Sequence, residues 1–204
     1  LKKTSIGSKL SSIEMPSVSG EIIKLDSIHK KYTLIDFWAS WCPPCRTESK
    51  LLNSLYASFN AEGFEIYGIS LDSKKERWIN AVEKDARIWP NVSTVEGFKT
   101  KVSMEYGITS LPTNFLIDSQ GKIIAANIHG NELKEKIEAV LNLDDDLDFA
   151  RKNEQKALEI LYNKAEILSI TRKNILPDIE SKITTLLADL GMPNAVIKID
   201  QKIE

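Results

Sequence analysis

Both cysteines of this 204-residue chain lie in one stretch, Trp41-Cys42-Pro43-Pro44-Cys45, which directly follows an apolar, strand-like run over residues 32–38. The chain can therefore form at most one internal disulfide, between Cys42 and Cys45. A structural cross-link stabilises a protein by closing a long loop of the unfolded chain, and a bridge across two residues closes almost none. The spacing therefore favours a redox role for the pair over a structural role.

The residues after this motif have the pattern of a helix. Apolar side chains recur at helical spacing over residues 47–59, with neither glycine nor proline until Gly63. The sulfur of Cys42 then lies at the positive end of the helix, which favours the thiolate form. Cys45 lies one turn further along and is expected to be more buried. We predict that Cys42 attacks a substrate and that Cys45 resolves the resulting mixed disulfide.

Metal binding is the alternative interpretation of two closely spaced cysteines. A tetrahedral zinc site needs about four ligands. The two histidines, His29 and His129, are single residues with no candidate ligand nearby in the sequence. We therefore expect neither a metal nor a cofactor.

Two segments carry a family resemblance. Asp36-Phe37-Trp38-Ala39-Ser40-Trp41-Cys42-Pro43-Pro44-Cys45-Arg46 resembles the active-site segment of the thioredoxin superfamily. Gly107-Ile108-Thr109-Ser110-Leu111-Pro112-Thr113 resembles the loop in which a cis-proline of that superfamily faces the dithiol. The resemblance covers residues 10–143. It implies an α/β fold, the thioredoxin-like three-layer α/β/α sandwich.

Within the superfamily the chain is similar to bacterial TlpA and ResA-like thiol-disulfide oxidoreductases. The similarity rests on an amino-terminal extension that ends over residues 21–25, on the motif Cys45-Arg46-Thr47-Glu48 and on an insert over residues 73–106. Residues 10–25 of the extension have the pattern of a hairpin. Members of this group are usually exported, and the chain begins with Leu1 rather than methionine. We therefore expect a periplasmic or envelope-facing protein whose signal or anchor is absent from this sequence.

Asp36 lies inside an apolar strand, where a carboxylate is costly unless it is paired or used. Desolvation raises the pKa of a carboxyl, so Asp36 could accept the proton of Cys45 as the mixed disulfide resolves. The alternative is a carboxylate that a nearby lysine or water satisfies.

The other predicted site residues bind substrate. A cis-Pro112 leaves the backbone of Leu111 exposed for pairing with an extended substrate; the alternative is an ordinary trans turn proline. Trp41 is expected to shield the site, with packing in the core as the alternative. Pro43 and Pro44 fix φ in the first turn of the helix.

The overall composition is that of an ordinary globular protein, with 42% apolar residues, 27% charged residues and a net charge of −2. No apolar run of about 18 residues occurs, so no membrane span is predicted. Neither half of the chain is basic enough to indicate a nucleic-acid surface.

The acidic run over residues 144–146 predicts a domain boundary. It separates a thioredoxin-like domain, residues 1–143, from a helical, coiled-coil-like tail, residues 144–204. Pro177 is expected to kink or restart the tail helix, and residues 196–199 to form a short terminal strand. The tail stripe, a seam of residues at steps of three and four, cannot bury itself and is expected to pack on a partner helix, on the thioredoxin-like domain or on its own copy in a homodimer. The tail stripe comprises Leu158, Leu161, Ala165, Leu168, Arg172, Ile175, Ile179, Ile183, Leu186 and Leu190.

Two segments of the tail, residues 165–173 and 186–195, are similar to the end of the coiled-coil arm of RecN-type DNA repair ATPases. The chain contains no GxxxxGK[ST] phosphate loop, so the resemblance does not imply ATPase activity. We predict a helical appendage joined by fusion. An unrelated, family-specific helical extension is the alternative.

The sequence therefore predicts a thiol-disulfide oxidoreductase that exchanges disulfides with protein substrates and depends on an upstream electron donor. The resemblance implies the reductive direction. A second hypothesis is an assembly module in which the tail recruits a partner and the redox site is secondary. A thiol peroxidase is less favoured, because such an enzyme needs threonine or serine where this chain has Ala39.

Overall fold

The computed structural model describes residues 4–199, apart from the side chains of residues 144 and 145. The chain divides into two compact units, with the boundary between residues 142 and 143. The first unit opens with an antiparallel hairpin of β1 (Glu14–Pro16) and β2 (Ile22–Lys24), followed by the short helix α1 (Leu25–Ile28). The predicted amino-terminal hairpin is thus confirmed.

A five-stranded mixed sheet forms the centre of this unit. Its order is β5-β4-β3-β6-β7, and β3 pairs parallel with β4 and antiparallel with β6. The strands are β3 (Tyr32–Trp38), β4 (Phe64–Ser70), β5 (Asn91–Val92), β6 (Thr113–Asp118) and β7 (Ile123–Ala126). The apolar run that precedes the cysteines is therefore the central strand, with neighbours on both sides.

Five α-helices accompany the two sheets in the part of the chain that the structure describes. After α1 they are α2 (Pro43–Phe59), α3 (Lys75–Lys84), α4 (Lys101–Tyr106) and α5 (Gly130–Asp189). Residues 97–106 form two short helices. A 3-10 helix, Gly97–Lys99, precedes α4, and the Thr100 side chain caps α4 by accepting the Ser103 N–H at 3.1 Å.

Strand β3 separates two apolar cores because its side chains alternate between the faces of the sheet. Ile35 and Phe37 pack with the hairpin and with Tyr106 of α4. Leu34 packs on the opposite face with α2 and with the first turns of α5. Both faces are covered, so the predicted three-layer α/β/α sandwich is confirmed. Asp36 shares the face of Leu34 and Trp38, which is the face that α2 covers.

Helix α5 is continuous across the acidic run that predicted a domain boundary. It is helical through residues 143–146 and through Pro177, so it neither ends at the acidic run nor restarts at the proline. Aspartate disfavours a helix by only about 0.7 kcal/mol or less per residue. Three acidic residues in a row are therefore too weak a signal to end a helix.

The predicted terminal strand over residues 196–199 is wrong. These residues are irregular, and the Ile199 N–H donates to the Glu180 carboxylate at 2.7 Å rather than to a neighbouring strand. Strand-forming residues need a pairing partner, and none lies beside them in the described part of this unit. Residues 200–204, the last of the predicted tail, lie outside the described residues.

Most apolar members of the tail stripe are exposed within the second unit, including Leu161, Leu168, Ile175 and Leu186. Across residues 4–199, the helices offer no segment that is both long and apolar enough to cross a membrane.

Candidate active site

Cys42 and Cys45 lie at the amino-terminal end of α2 and are joined by a disulfide. Cys42 is the N-cap residue of the helix, and its Sγ accepts the Cys45 N–H at 3.3 Å. Pro43 and Pro44 fill the first helical positions, where a missing N–H costs nothing because no intrahelical partner exists there. The two cysteines therefore have the position at the helix start that the sequence predicted. Both are buried in this oxidised state.

The loop between β3 and α2 is fixed to the end of β4 by one carboxylate. Asp72 accepts the Ser40 N–H at 2.8 Å and the Ser40 hydroxyl at 2.5 Å. The Ser70 hydroxyl donates to the same carboxylate at 2.8 Å. These bonds hold the chain rigidly just ahead of Cys42.

A second contact ties the first turn of α2 to the end of α3. Arg46 donates from Nη2 to Oδ1 of Asp85 at 2.7 Å and from Nε to the other oxygen of the same carboxylate. Its Nη1 also donates to the Ser40 carbonyl at 3.2 Å. The sequence motif contained Arg46, but the partner on α3 was not predicted.

The Leu111–Pro112 peptide bond is cis, as the resemblance implied. Leu111 packs against the apolar cluster that contains both cysteines. The loop that leads into β6 therefore lies beside the disulfide, and Pro112 is not an ordinary trans turn proline.

Trp41 lies at the surface, with 49% of the residue exposed. Its ring contacts the ring of Phe98 from the 3-10 helix, with 6.1 Å between centroids. Packing in the core, the alternative role for Trp41, is therefore excluded. Phe98 was not predicted as a site residue, although it lies in the insert that the sequence singled out.

Asp36 and Arg87 form a buried ion pair, in which Arg87 Nη1 donates to Asp36 Oδ2 at 3.0 Å. Both residues are only 3% exposed. Burial raises the pKa of Asp36, and the guanidinium of Arg87 opposes that rise. The alternative interpretation, a carboxylate satisfied by a lysine or by water, is corrected in its partner, which is an arginine.

Arg87 is the main site residue that the sequence did not reveal. It donates from Nη2 to the Cys45 carbonyl at 3.3 Å and from Nε to the Ser49 hydroxyl at 3.0 Å. Its guanidinium carbon lies 3.7 Å from the ring centroid of Trp38. One side chain therefore connects the buried carboxylate, the backbone of the second cysteine and the end of β3.

Glu48, one turn along α2 from Cys45, has a partner of its own. Its carboxylate lies 3.0 Å from His129 Nδ1 and accepts the Gly130 N–H at 3.0 Å. His129 is thus paired with Glu48. Among the residues that the structure describes, no cluster of three or more histidines, cysteines and carboxylates is arranged to hold a metal ion.

A disulfide at a helix N-terminus, a cis-proline loop and a buried carboxylate on a thioredoxin-like sheet define a dithiol-disulfide exchange site. The model of the AhpC/TSA family matches residues 6–126. ResA of Bacillus thuringiensis (strain Al Hakam), a thiol-disulfide oxidoreductase, is 31% identical over 140 residues, which cover 69% of this chain and 79% of that protein. ResA of Bacillus subtilis (strain 168) is 27% identical over 137 residues, or 67% of this chain and 74% of that protein.

Solved structures give the same result. A thiol:disulfide interchange protein from a Bacteroides species has a TM-score of 0.63 and 33% identity, and covers 69% of this chain and 92% of its own. A thiol-disulfide oxidoreductase from Bacteroides fragilis NCTC 9343 has a TM-score of 0.61 and 32% identity, with coverage of 65% and 98%. The chain belongs to the AhpC/TSA family of the thioredoxin superfamily and is ResA-like. The prediction of a thiol-disulfide oxidoreductase is confirmed.

Proposed function

We propose that this enzyme reduces disulfides in protein substrates and is itself reduced by an upstream electron donor. The observation that carries the proposal is the position of Cys42, whose sulfur caps the N-terminus of α2 beside the loop of Pro112. A helix N-terminus stabilises a thiolate, and the thiolate is the nucleophile in disulfide exchange.

Reduction proceeds in two exchanges. The Cys42 thiolate attacks one sulfur of the substrate disulfide, forms a mixed disulfide and releases the first substrate thiolate. Cys45 then loses its proton and attacks Cys42 Sγ, which releases the second substrate thiolate and leaves the Cys42–Cys45 disulfide. The upstream donor returns two electrons to this disulfide and completes the cycle.

Asp36 is the proposed acceptor of the Cys45 proton. The support is its place on the α2-facing side of β3, its burial and its link through Arg87 to the Cys45 carbonyl. A buried carboxyl has a raised pKa, which brings its proton affinity nearer to that of a thiol.

The proposed substrate-binding surface surrounds the disulfide. It consists of Trp41, Pro43 and Pro44 on one side and of Leu111 and Pro112 on the other. Exposure of Trp41 and the packing of Leu111 against the cysteine cluster support this assignment. An extended substrate segment would pair with the backbone of Leu111.

We place this activity in the periplasm or facing the cell envelope, on the basis of the resemblance to exported TlpA and ResA-like proteins. The reductive direction rests on the same resemblance. Equilibration with glutathione buffers measures the reduction potential of the Cys42–Cys45 pair. We expect a value near that of thioredoxin, about −270 mV, whereas a value near that of DsbA, about −120 mV, would identify an oxidant.

Assembly through the tail is a second candidate function, which the exposed apolar members of the tail stripe favour. The occupant would be a second copy of the chain, packed as a coiled coil. The RecN-like and fusion interpretations of the tail stay predictions, since the family match ends at residue 126. Light scattering on residues 1–143 and on the full chain tests the assembly role, because equal association states would eliminate it.

A further inference from the structure

We propose that Arg87 is a positioning residue for the resolving step, which holds Asp36 as a carboxylate and keeps it in register with Cys45. The inference rests on the proposed function, because it concerns the proton that Cys45 loses during disulfide exchange. It adds a residue from the segment between α3 and β5 to a site otherwise built from β3, α2 and the Pro112 loop.

The contacts of Arg87 are directed at both partners of the proton transfer. Nη1 donates to Asp36 Oδ2 at 3.0 Å, and Nη2 donates to the Cys45 carbonyl at 3.3 Å. The third nitrogen of the guanidinium, Nε, donates to the Ser49 hydroxyl at 3.0 Å. Because a guanidinium is planar and rigid, these bonds fix the carboxylate relative to the backbone of Cys45.

The guanidinium plane is fixed by aromatic rings. Its central carbon lies 3.7 Å from the ring centroid of Trp38 and 5.4 Å from that of Trp89. A lysine has no planar group to stack in this way. Arginine at this position therefore fixes the orientation of the Asp36 carboxylate and also supplies a positive charge.

The positive charge of Arg87 stabilises the negative charge of the site both before and after the proton moves from Cys45 to Asp36. Before transfer the anion is the Asp36 carboxylate. After transfer the proton is on an Asp36 oxygen, and the negative charge is on Cys45 Sγ. That sulfur uses its electron pair to bond to Cys42 Sγ, and the bond from Cys42 to the substrate breaks. The electron pair of the broken bond leaves on the substrate thiolate.

Without Arg87, burial would leave Asp36 protonated over a wider pH range. An opposite charge at contact distance lowers a carboxyl pKa by about one to three pH units, and burial acts in the other direction. Arginine cannot lose its own proton in the accessible pH range. The pair is therefore held as an ion pair, with Asp36 ready to accept a proton.

The other charged groups around the pair belong to three further elements. Glu48 of α2 raises the pKa of Asp36, and His129, which precedes α5, lowers it. Burial lowers the pKa of Arg87 and Asp36 raises it; Asp85, at the end of α3, also raises it, and Arg46 of α2 lowers it. Glu48 lies 3.0 Å from His129 Nδ1, and Arg46 forms an ion pair with Asp85, so each of these groups has a partner of its own.

The test isolates the resolving step with a small aromatic disulfide, dithiobis(nitrobenzoate). Reduced enzyme releases one nitrothiobenzoate when Cys42 forms the mixed disulfide and a second when Cys45 resolves it. Stopped-flow absorbance measures the second release across the neutral and alkaline range. The variants are Arg87→Leu, Arg87→Lys, Asp36→Asn and Asp36→Asn/Arg87→Leu, with Arg77→Leu on the exposed side of α3 as the matched control.

For Arg87→Leu we expect the pH midpoint of the second release to rise by about one unit, with a rate loss of about tenfold at neutral pH. Arg87→Lys, which keeps the charge but cannot stack, recovers the pH midpoint but not the full rate, and Arg77→Leu has the wild-type profile. In the Asp36→Asn background, Arg87→Leu adds no further shift, because Arg87 acts through Asp36. A wild-type midpoint in Arg87→Leu overturns the proposal, and so does an equal shift in both backgrounds.

Two further measurements apply if Arg87→Leu does not fold or if the proposed function fails. If Arg87→Leu does not fold, carbon NMR of the Asp36 carboxyl in the wild-type enzyme replaces it. An ionised carboxyl at neutral pH supports the proposal, and a protonated one overturns it. Reduction of a protein disulfide by the wild-type enzyme is assayed separately, so failure of the proposed function is not confused with failure of the role of Arg87.

Discussion

Arg87 Nη1 and Asp36 Oδ2 are 3.0 Å apart in a pair that is almost fully removed from solvent. Removing one partner leaves the other charge buried and uncompensated, which costs about 3–5 kcal/mol, whereas replacing both partners with apolar residues is often neutral. We expect Arg87→Leu to lower the free energy of unfolding by about that amount, and Asp36→Leu/Arg87→Leu to lower it less than the sum of the single variants. Urea denaturation measures the free energy of unfolding of the two single variants and of the double variant. A loss in the double variant equal to the sum of the single losses would contradict the pairing.

The free energy of unfolding of the enzyme should depend on pH through the protonation of Asp36. Burial raises the pKa of Asp36 above its ordinary value of 3.8, so the native state binds this proton more tightly than the unfolded state does. Its favourable contribution is therefore complete below the unfolded pKa and is lost as pH rises through the folded pKa. We expect the stability of Asp36→Asn relative to wild type to increase from acidic to neutral pH. A difference independent of pH in urea denaturation would refute this assignment.

The ion pair of Arg46 and Asp85 should contribute modestly to stability because its arginine is partly exposed, at 25% of the side chain. We expect Arg46→Ala to lower the free energy of unfolding by about 0.5–1 kcal/mol. The matched control is Arg151→Ala, since Arg151 lies 3.8 Å from Asp148 with 77% of its side chain exposed. Equal losses in the two variants would show that the bidentate geometry at Asp85 adds nothing.

Contact between Trp41 and Phe98 predicts a role for Phe98 in binding protein substrates. An aromatic pair contributes about 0.5–1.5 kcal/mol beyond its buried area, so we expect Phe98→Ala to raise KM for a protein disulfide by about two- to tenfold. Its reaction with dithiobis(nitrobenzoate) should be unchanged. Ile88→Ala, at a residue 70% exposed, serves as the control. An unchanged KM in Phe98→Ala would remove Phe98 from the binding surface.

Self-association through the tail stripe can be tested in the full chain. Leu161 and Leu168 are stripe residues with exposed side chains, and a buried arginine in a coiled-coil seam carries a large desolvation cost. We expect Leu161→Arg/Leu168→Arg to convert a dimer to a monomer in light scattering. Ile160→Arg, at an exposed apolar residue outside the stripe, should stay dimeric. A monomeric wild-type chain would end the homodimer proposal.

Local signals in the sequence were sufficient for the central part of the fold. The apolar alternation of residues 32–38 predicted β3, and the helical spacing after Cys45 predicted α2. Both depend on interactions between residues close in sequence, so a single sequence contains the information. The position of Cys42 at the N-terminus of α2 could be predicted for the same reason.

Long-range partners could not be assigned in this way. Arg87 lies 51 residues from Asp36, and the chain contains 27 lysines and arginines that could have neutralised a buried carboxylate. The only available signal was that a carboxylate in an apolar strand requires a partner. Residues 196–199 show the converse, because their composition suits a strand but no partner strand lies beside them in the described structure.

In the proposed mechanism, Cys42 attacks the substrate and Cys45 resolves the mixed disulfide. Mass spectrometry under non-reducing conditions, after the Cys45→Ser and Cys42→Ser variants are mixed with a protein disulfide, tests it most directly. We predict that Cys45→Ser accumulates a covalent complex with the substrate through Cys42. We predict that Cys42→Ser forms no such complex and reduces no substrate. Full activity in Cys42→Ser, or a complex trapped through Cys45 instead, would contradict the account.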